Sequence, residues 1–153
     1  ARKDKVQVQA GLTAQNSRFK EARTWSDEGD VQATRKMFRT PDFYGYLSAS
    51  YNPVKRMQLS LTGTYTGSML IEHHAGFIDS NKSVETPDFW DLNFKIAYDF
   101  KIYSSFSLQL NAGVQNMLNS FQKDFDSGSD RDSGYIYGPT LPRSFFFGIK
   151  LNY

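Results

Sequence analysis

The sequence of 153 residues contains no cysteine and only two histidines, and its formal net charge is only +2. Without cysteine, disulfide scaffolds, thiol catalysis and cysteine-ligated zinc are excluded. No apolar run reaches the roughly 18 residues that a transmembrane helix needs, which excludes that class as well. Lysine and arginine number 18 against 16 acidic residues, and the basic residues do not cluster. We therefore expect no nucleic-acid partner.

Aromatic residues, by contrast, are abundant, with 13 Phe and 9 Tyr among the 16% aromatic content. This aromatic content is too high for a disordered chain. The length allows at most one domain. Apolar and polar residues alternate with period two along most of the sequence, which is typical of strands with one apolar face. We predict an all-β fold, an antiparallel up-and-down meander of six strands, over about 5–15, 41–52, 56–71, 88–100, 105–121 and 143–153.

Three of these strands share a nine-residue apolar face with an aromatic residue at each end. The pairs of end residues are Phe43 and Tyr51, Trp90 and Tyr98, and Phe145 and Tyr153. Eight steps of roughly 3.3 Å give about 26 Å of strand. With a tilt of roughly 40°, such a strand covers about 20 Å, close to the ~25 Å apolar band of an outer-membrane barrel. The sequence therefore predicts strands that are part of a transmembrane β-barrel.

We predict opposite surroundings for the two faces of these strands. We expect one face to contact outer-membrane lipid, through side chains such as Leu47, Leu59, Phe94, Leu110 and Ile149. We expect the other face to be uniformly polar and to line a water-filled lumen, through side chains such as Thr62, Asn93, Gln109 and Lys150.

The connections between the predicted strands alternate in length. Those at 52–55 and 99–104 are short, whereas those at about 16–39, 72–85 and 122–142 are long and polar. Bacterial membrane barrels have short periplasmic turns and long outer loops, so any substrate-binding residues are expected in the three long loops. Six strands are too few to close a barrel of this kind, which needs about eight. We expect a piece of a larger barrel, or closure with other copies.

Two groups of residues are candidate metal ligands. The neighbours His73 and His74 point to opposite faces if they lie on a strand and rarely chelate one metal in a loop, so a polar loop pair is favoured. The aspartates between Asp124 and Asp132 resemble a calcium loop faintly, but Gly128 stands where an acid is needed and Tyr135 occupies the twelfth position. A solvated outer loop is favoured there, and no metal site is predicted.

No spacing of Ser, His and Asp suggests a catalytic triad, and no glycine-rich phosphate loop occurs. We therefore expect neither an enzyme nor a cofactor.

The last forty residues resemble the C-terminal end of TonB-dependent outer-membrane receptors. The penultimate strand of that family commonly ends in a Gly-Val-x-Asn run with a closing aromatic residue, which is matched here by Gly113-Val114-Gln115-Asn116-Met117-Leu118-Asn119-Ser120-Phe121. A Gly-Pro and a Pro-Arg then precede the final strand, as in Gly138-Pro139 and Pro142-Arg143. The final strand matches at Phe145, Phe147, Gly148, Ile149, Leu151 and Tyr153, with Tyr153 where Phe is usual.

This resemblance implies a location and a set of partners. It implies the C-terminal strands of a receptor in the outer membrane of a Gram-negative bacterium, for TonB-energised uptake of a scarce nutrient such as a ferric siderophore, cobalamin or a glycan. The implied partners are outer-membrane lipid, the upstream barrel strands and plug domain, TonB through the missing N-terminal part, and the barrel-insertion machinery. The insertion machinery would read an assembly signal on the last strand, formed by Phe145, Phe147, Ile149, Leu151 and Tyr153.

Two alternatives remain open from the sequence. One is a soluble or secreted β-barrel carrier that binds a small ligand inside, which would need its apolar face turned inward. The other is a purely structural outer-membrane barrel, which would not need the Gly-Pro and Pro-Arg pattern.

Overall fold

The computed structural model describes residues 5–103 and 106–152. Ten strands occupy this part of the chain, and Tyr153 lies outside it. Among the described residues, no helix is long and apolar enough to cross a membrane. The strands are β1 (Val6–Ala14), β2 (Arg18–Arg23), β3 (Thr34–Lys36), β4 (Phe43–Tyr51), β5 (Met57–Thr66), β6 (Leu70–His73), β7 (Lys82–Glu85), β8 (Phe89–Lys101), β9 (Ser107–Gln115) and β10 (Ser144–Asn152).

Six of the strands form one antiparallel sheet in the order β1-β4-β5-β8-β9-β10. Each strand pairs with the next sheet strand along the chain, which confirms the predicted up-and-down meander. The strand ends that the short β4–β5 and β8–β9 connections join lie at one end of the sheet, and the strand ends that the three long connections join lie at the other.

The long connections contain four short strands that the sequence analysis assigned to loops. Strand β2 pairs with β3, and β6 pairs with β7, as two separate two-stranded sheets. The predicted loops 16–39 and 72–85 are therefore partly hairpins. We call the segments 15–42, 67–88 and 116–143 together the loop layer.

The strand predicted over 56–71 is too long, because it joins β5 to β6. The backbone leaves the sheet at Gly67, whose N–H donates to the Phe43 carbonyl oxygen at 2.9 Å. A Cβ atom on Gly67 would lie 2.8 Å from that oxygen, so a side chain would not fit. Met69 and Ile71 continue the period-two alternation, but they are buried in the loop layer.

The strand predicted over 105–121 is also too long, since β9 ends at Gln115. Asn116 and Asn119 have φ values of 49° and 54°, in the left-handed region that asparagine tolerates better than most residues. The buried amide of Asn116 donates from Nδ2 to the Leu141 carbonyl oxygen at 3.0 Å, and its Oδ1 accepts the Ser120 N–H at 2.9 Å. These bonds stabilise a turn in place of a strand.

The outward face of the sheet is apolar across all six strands. One row of register partners crosses the whole sheet and consists of Val8, Ala49, Leu61, Phe94, Val114 and Phe145. None of the outward side chains of the described sheet strands is buried, and Leu12 and Phe147 are 74% and 68% exposed. This face has no protein layer packed on it within the described chain.

The opposite face is polar, but it is not uniformly polar as the sequence analysis expected. Four aromatic residues share it with the glutamines, threonines and asparagines, namely Tyr44, Tyr46, Phe89 and Phe146. Two of them lie across from glycine. A Cβ atom on Gly11 would lie 2.5 Å from Cε1 of Tyr46, and one on Gly113 would lie 2.5 Å from Cζ of Phe146. Both rings therefore lie low over the neighbouring strand.

The buried apolar cluster lies in the loop layer, whereas Phe89 and Ala97 are the buried apolar residues of the described sheet, both on the polar face of β8. Ile71 is fully buried, and Met69 and Tyr135 pack with it. Val84 and Tyr137 cover this cluster from the side. The loop layer is consequently a packed unit that holds the long connections together.

Candidate binding site: the loop layer and the polar-face cavity

Arg39 joins all three long connections of the loop layer. Its backbone N–H donates to the Leu70 carbonyl oxygen at 2.8 Å. Its guanidinium donates to the carbonyl oxygens of Gly134 at 2.6 Å and Ile136 at 3.2 Å, and it forms an ion pair with Glu72 at 3.3 Å. Since the planar guanidinium has five donors in a rigid fork, one side chain can fix several segments at once.

His73 and Asp126 form a buried pair between the end of β6 and the third long connection. The His73 Nε2 lies 2.9 and 3.0 Å from the two Asp126 carboxylate oxygens, and the side chains are 8% and 3% exposed. The His73 ring stacks on Tyr135 with centroids 3.5 Å apart, and Asp126 also accepts the Asp132 N–H at 3.0 Å. This pair holds the third connection against the β6–β7 hairpin.

His74, in contrast, is exposed and contacts different residues. Its ring meets Trp25 edge-on with centroids 4.7 Å apart, and its N–H donates to Asp132 at 2.9 Å. Asp132 also accepts the Gly134 N–H at 2.7 Å. The two histidines thus bond to two different aspartates of the faint calcium pattern, His73 to Asp126 and His74 to Asp132. Within the described part of the chain, no group of three or more His, Asp or Glu residues is placed to hold a metal ion.

Asp124 accepts hydrogen bonds from two tyrosine hydroxyls, those of Tyr135 at 2.9 Å and of Tyr137. Burial acts to raise the pKa of the Asp124 carboxyl, but the bonds from Tyr137 and Tyr135 together outweigh it and hold the pKa below the usual value. Burial and the neighbouring carboxylate raise the pKa of Tyr135 to about 12 and also raise the pKa of Tyr137. The three groups therefore stay as one carboxylate and two phenols at neutral pH.

A cavity of about 550 Å³ lies against the polar face of the sheet. Its lining includes residues of β5, β8, β9 and β10 and the segment 139–142. That segment is fixed by Asn116, which holds the Leu141 carbonyl oxygen, and by the Gln122 N–H, which donates to the Pro139 carbonyl oxygen at 2.9 Å. The lining residues are Ser60, Thr62, Asp91, Asn93, Phe94, Lys95, Gln115, Asn116, Pro139, Thr140, Leu141, Pro142, Ser144 and Phe146.

The sequence alone predicts neither this cavity nor the roles of Arg39 and Tyr135 in the loop layer. Asn93 was expected on the lumen side and does line the cavity. Phe146 was not singled out, although it alternates with Phe145 and Phe147 on the opposite face. The available signal was Gly113 within a strand, since an interior glycine marks a close approach of another group.

Strand β10 presents the residues of the expected assembly signal on one face. Phe145, Phe147, Ile149 and Leu151 are all exposed on the outward face, and β10 pairs with β9 alone in the described sheet. Tyr153, the last member of that set, lies outside the described residues.

No protein-family model and no curated protein matches the sequence. Among solved structures, the chain is similar to the ferric-catecholate import receptor Fiu from K12 E. coli in its closed form. The TM-score is 0.63 at 22% sequence identity, over 99% of this chain and 19% of that receptor. The chain therefore spans about a fifth of the length of that receptor, and the likeness shows a shared fold, a run of antiparallel strands.

Proposed function

We propose that the chain forms the C-terminal strands of the β-barrel of a TonB-dependent receptor in the outer membrane of a Gram-negative bacterium. The receptor imports a scarce nutrient from the ferric siderophore, cobalamin or glycan class. In this proposal the loop layer faces the exterior and the polar face lines the lumen. In the same proposal, the plug domain and TonB move the nutrient.

The observation that carries the proposal is the location of the buried core. Apolar burial is the dominant favourable term in folding, yet the apolar face of the sheet is unburied while the loop layer has a buried cluster. An exposed apolar face of six strands in water is a strong liability for aggregation. In lipid, the same apolar face is removed from water. The closed ring of strands in a full barrel then pairs the backbone N–H and C=O groups.

The absence of cysteine in the sequence makes this orientation testable by labelling. Single cysteines are introduced into the full-length protein at Ser129 in the loop layer and at Lys55 in the short turn, both of which are exposed. Intact cells are treated with a membrane-impermeant maleimide. We expect label on Ser129→Cys in intact cells, and on Lys55→Cys after the outer membrane is permeabilised.

The matched pair separates the alternatives. A soluble or secreted carrier would be found outside the membrane fraction, with both cysteines equally reactive. Label at Lys55→Cys but not at Ser129→Cys in intact cells would reverse the orientation and contradict the proposal. A purely structural barrel would give the expected labelling but no growth defect when the protein is deleted under nutrient limitation.

A further inference from the structure

The outward apolar face of the sheet contains a groove of about 450 Å³. Two glycines form its floor, Gly45 on β4 and Gly63 on β5, and both strands have a neighbouring strand on each side. By the period-two alternation, Gly45 shares the outward face with Leu47, and Gly63 shares it with Leu61. The groove therefore lies on the side of the sheet that faces away from the barrel lumen and from any plug domain.

Larger side chains flank each glycine in register. The flanking residues are Leu12 and Tyr65 for Gly45, and Leu47 and Leu92 for Gly63. With strands about 4.8 Å apart, the flanking Cα atoms of each row lie about 10 Å apart. Because the two glycines lie in adjacent rows on adjacent strands, the two gaps join into one diagonal groove.

The groove begins beside the loop layer at a pair of amphipathic rings. Trp90 and Tyr65 contact each other there with centroids 4.4 Å apart, and the Tyr65 hydroxyl donates to Asp88 at 3.2 Å. Trp90 is 53% exposed. Trp and Tyr are typical of the membrane interface, where one end of the ring is apolar and the other is wet. The groove thus runs from the expected level of the lipid headgroups toward the middle of the apolar face.

The width and the chemistry of the groove select its occupant. A hydrocarbon chain that touches both walls needs wall atoms about 7–8 Å apart, which is two carbon–carbon contacts of roughly 3.5–4.0 Å. Side chains on strands about 10 Å apart leave a gap of that order, whereas a helix, at about 10–12 Å, is too wide to enter. A strand of another protein would bury backbone N–H and C=O groups against apolar walls that cannot bond to them.

We propose that this groove binds one acyl chain of a lipid of the surrounding outer membrane. The ester end of the chain lies beside Trp90 and Tyr65, and its first methylene groups lie over Gly45 and Gly63. A chain on this floor touches protein on three sides, so it exchanges with bulk lipid more slowly than a chain beside the rest of the face. This inference rests on the proposed function, because it requires the outward face to lie in the bilayer.

The test maps contacts between acyl chains and the full-length protein in phosphatidylcholine vesicles. The probe is a phosphatidylcholine that carries a photoreactive diazirine on one acyl chain, and mass spectrometry locates the adducts. We expect severalfold more adducts at Leu47 and Leu92 than at Phe147 and Ile149. The last two lie on the same face and are 68% and 63% exposed, so exposure alone would give the opposite order.

Two substitutions of similar size separate the groove from the face around it. Gly63→Leu fills the groove, and the nearest atom to the new Cβ is the flexible Cδ1 end of Leu92, at 3.0 Å. Ala49→Leu adds bulk to the same face in the next row, outside the groove. We expect Gly63→Leu to remove the excess of adducts and Ala49→Leu to keep it. Gly63→Ala, which adds only a methyl group, should lower the excess in part and replaces Gly63→Leu if that variant does not fold.

Each outcome bears on the proposal. An excess in the groove that is lost in Gly63→Leu and kept in Ala49→Leu supports it. Even labelling of the whole outward face, or an excess that survives Gly63→Leu, overturns the lipid site and leaves the receptor function standing. Labelling everywhere on that face except in the groove also overturns it and assigns the groove to a protein partner, such as a second copy. Absence of adducts from the whole outward face would instead contradict the proposed function, and the lipid site with it.

Discussion

At the scale of single residues, glycines opposite aromatic rings determine how the polar face is built. Gly11 and Gly113 both lie across from a ring, but their surroundings differ. The Cβ position of Gly11 is blocked by the Tyr46 ring, whereas that of Gly113 is blocked by the Phe146 ring and by the Phe94 carbonyl oxygen at 2.3 Å. A side chain can move aside more easily than a backbone group in the middle of a sheet.

This difference predicts the outcome of two alanine substitutions. Gly113→Ala should destabilise the protein by about 1–3 kcal/mol through overpacking, and Gly11→Ala should cost less. Adding Tyr46→Ala should remove most of the Gly11→Ala cost, whereas adding Phe146→Ala should not restore Gly113→Ala, because the backbone oxygen remains. Free energies of unfolding for the singles and doubles test this. Full rescue at Gly113 would show that the ring alone excludes the side chain.

The two faces of the sheet predict opposite responses to arginine. Phe94 lies in the outward apolar row, and Ser48 lies exposed on the polar face. Phe94→Arg should cost about 2–4 kcal/mol if its position is near the bilayer midplane, and Ser48→Arg should cost far less. Arginine at Asn93, on the same face, would also remove the acceptor of the Asn116 N–H, so Ser48 is the control. Folding of the full-length variants into lipid vesicles measures both, and equal costs would contradict the assignment of faces.

At the scale of elements, the His73–Asp126 pair connects the β6–β7 hairpin to the third long connection. Asp126→Ala leaves the His73 ring and the Asp132 N–H without their acceptor, at a cost of about 1–3 kcal/mol for a buried hydrogen-bonding group. We expect faster hydrogen exchange over 122–137 and faster cleavage there by protease, with the sheet unchanged. The control is Asp130→Ala, because Asp130 is exposed. Equal exchange in the two variants would show that the pair does not hold the connection.

The tyrosines that bond to Asp124 predict that the loop layer opens in alkali. The pKa of Tyr135 is raised from 10.0 to about 12, so its stabilising contribution is complete below about pH 10 and is lost as the pH rises through about 12. Trp25 packs on His74 in the same layer, and its fluorescence reports the opening. Tyr135→Phe should remove the part of the transition that depends on this ionisation, whereas Tyr103→Phe, at an exposed position, should leave it unchanged. An identical transition in both variants would contradict this role of Tyr135.

The sequence predicts the sheet well and the loop layer poorly, for a physical reason. Period-two alternation specifies which side chains share a face, and so the six strands and their meander follow from it. It does not specify which sheet a strand joins, so Met69 and Ile71 were assigned to β5 although they are buried with Tyr135. The cavity depends on register, because only the pairing of Phe146 with Gly113 shows that the ring lies low.

At the scale of the whole molecule, the loop layer and the apolar face of the sheet are stabilised in different ways. The loop layer is stabilised by contacts within the chain, through Arg39, the His73–Asp126 pair and the cluster around Ile71. The sheet instead presents its apolar side chains outward, so its stability depends on what surrounds it. We therefore expect the loop layer to keep its contacts in detergent, while the sheet depends on lipid and on the strands at its two edges.

Strand β10 is one of those edges, and its outward row predicts a role in assembly. Strand recognition at a sheet edge uses main-chain hydrogen bonds for affinity and alternate side chains for specificity, and Phe145, Phe147, Ile149 and Leu151 supply alternate apolar side chains. We expect deletion of Tyr153 from the full-length protein to lower its level in the outer membrane severalfold, with little change in the melting temperature of protein that is already inserted. Surface abundance and melting temperature in detergent are measured together. The controls are Tyr51→Ala and Tyr98→Ala, at the end of the sheet where β10 ends, which we expect to lower stability without affecting delivery. Normal abundance with a lowered melting temperature after the deletion would leave Tyr153 a role at the membrane interface alone.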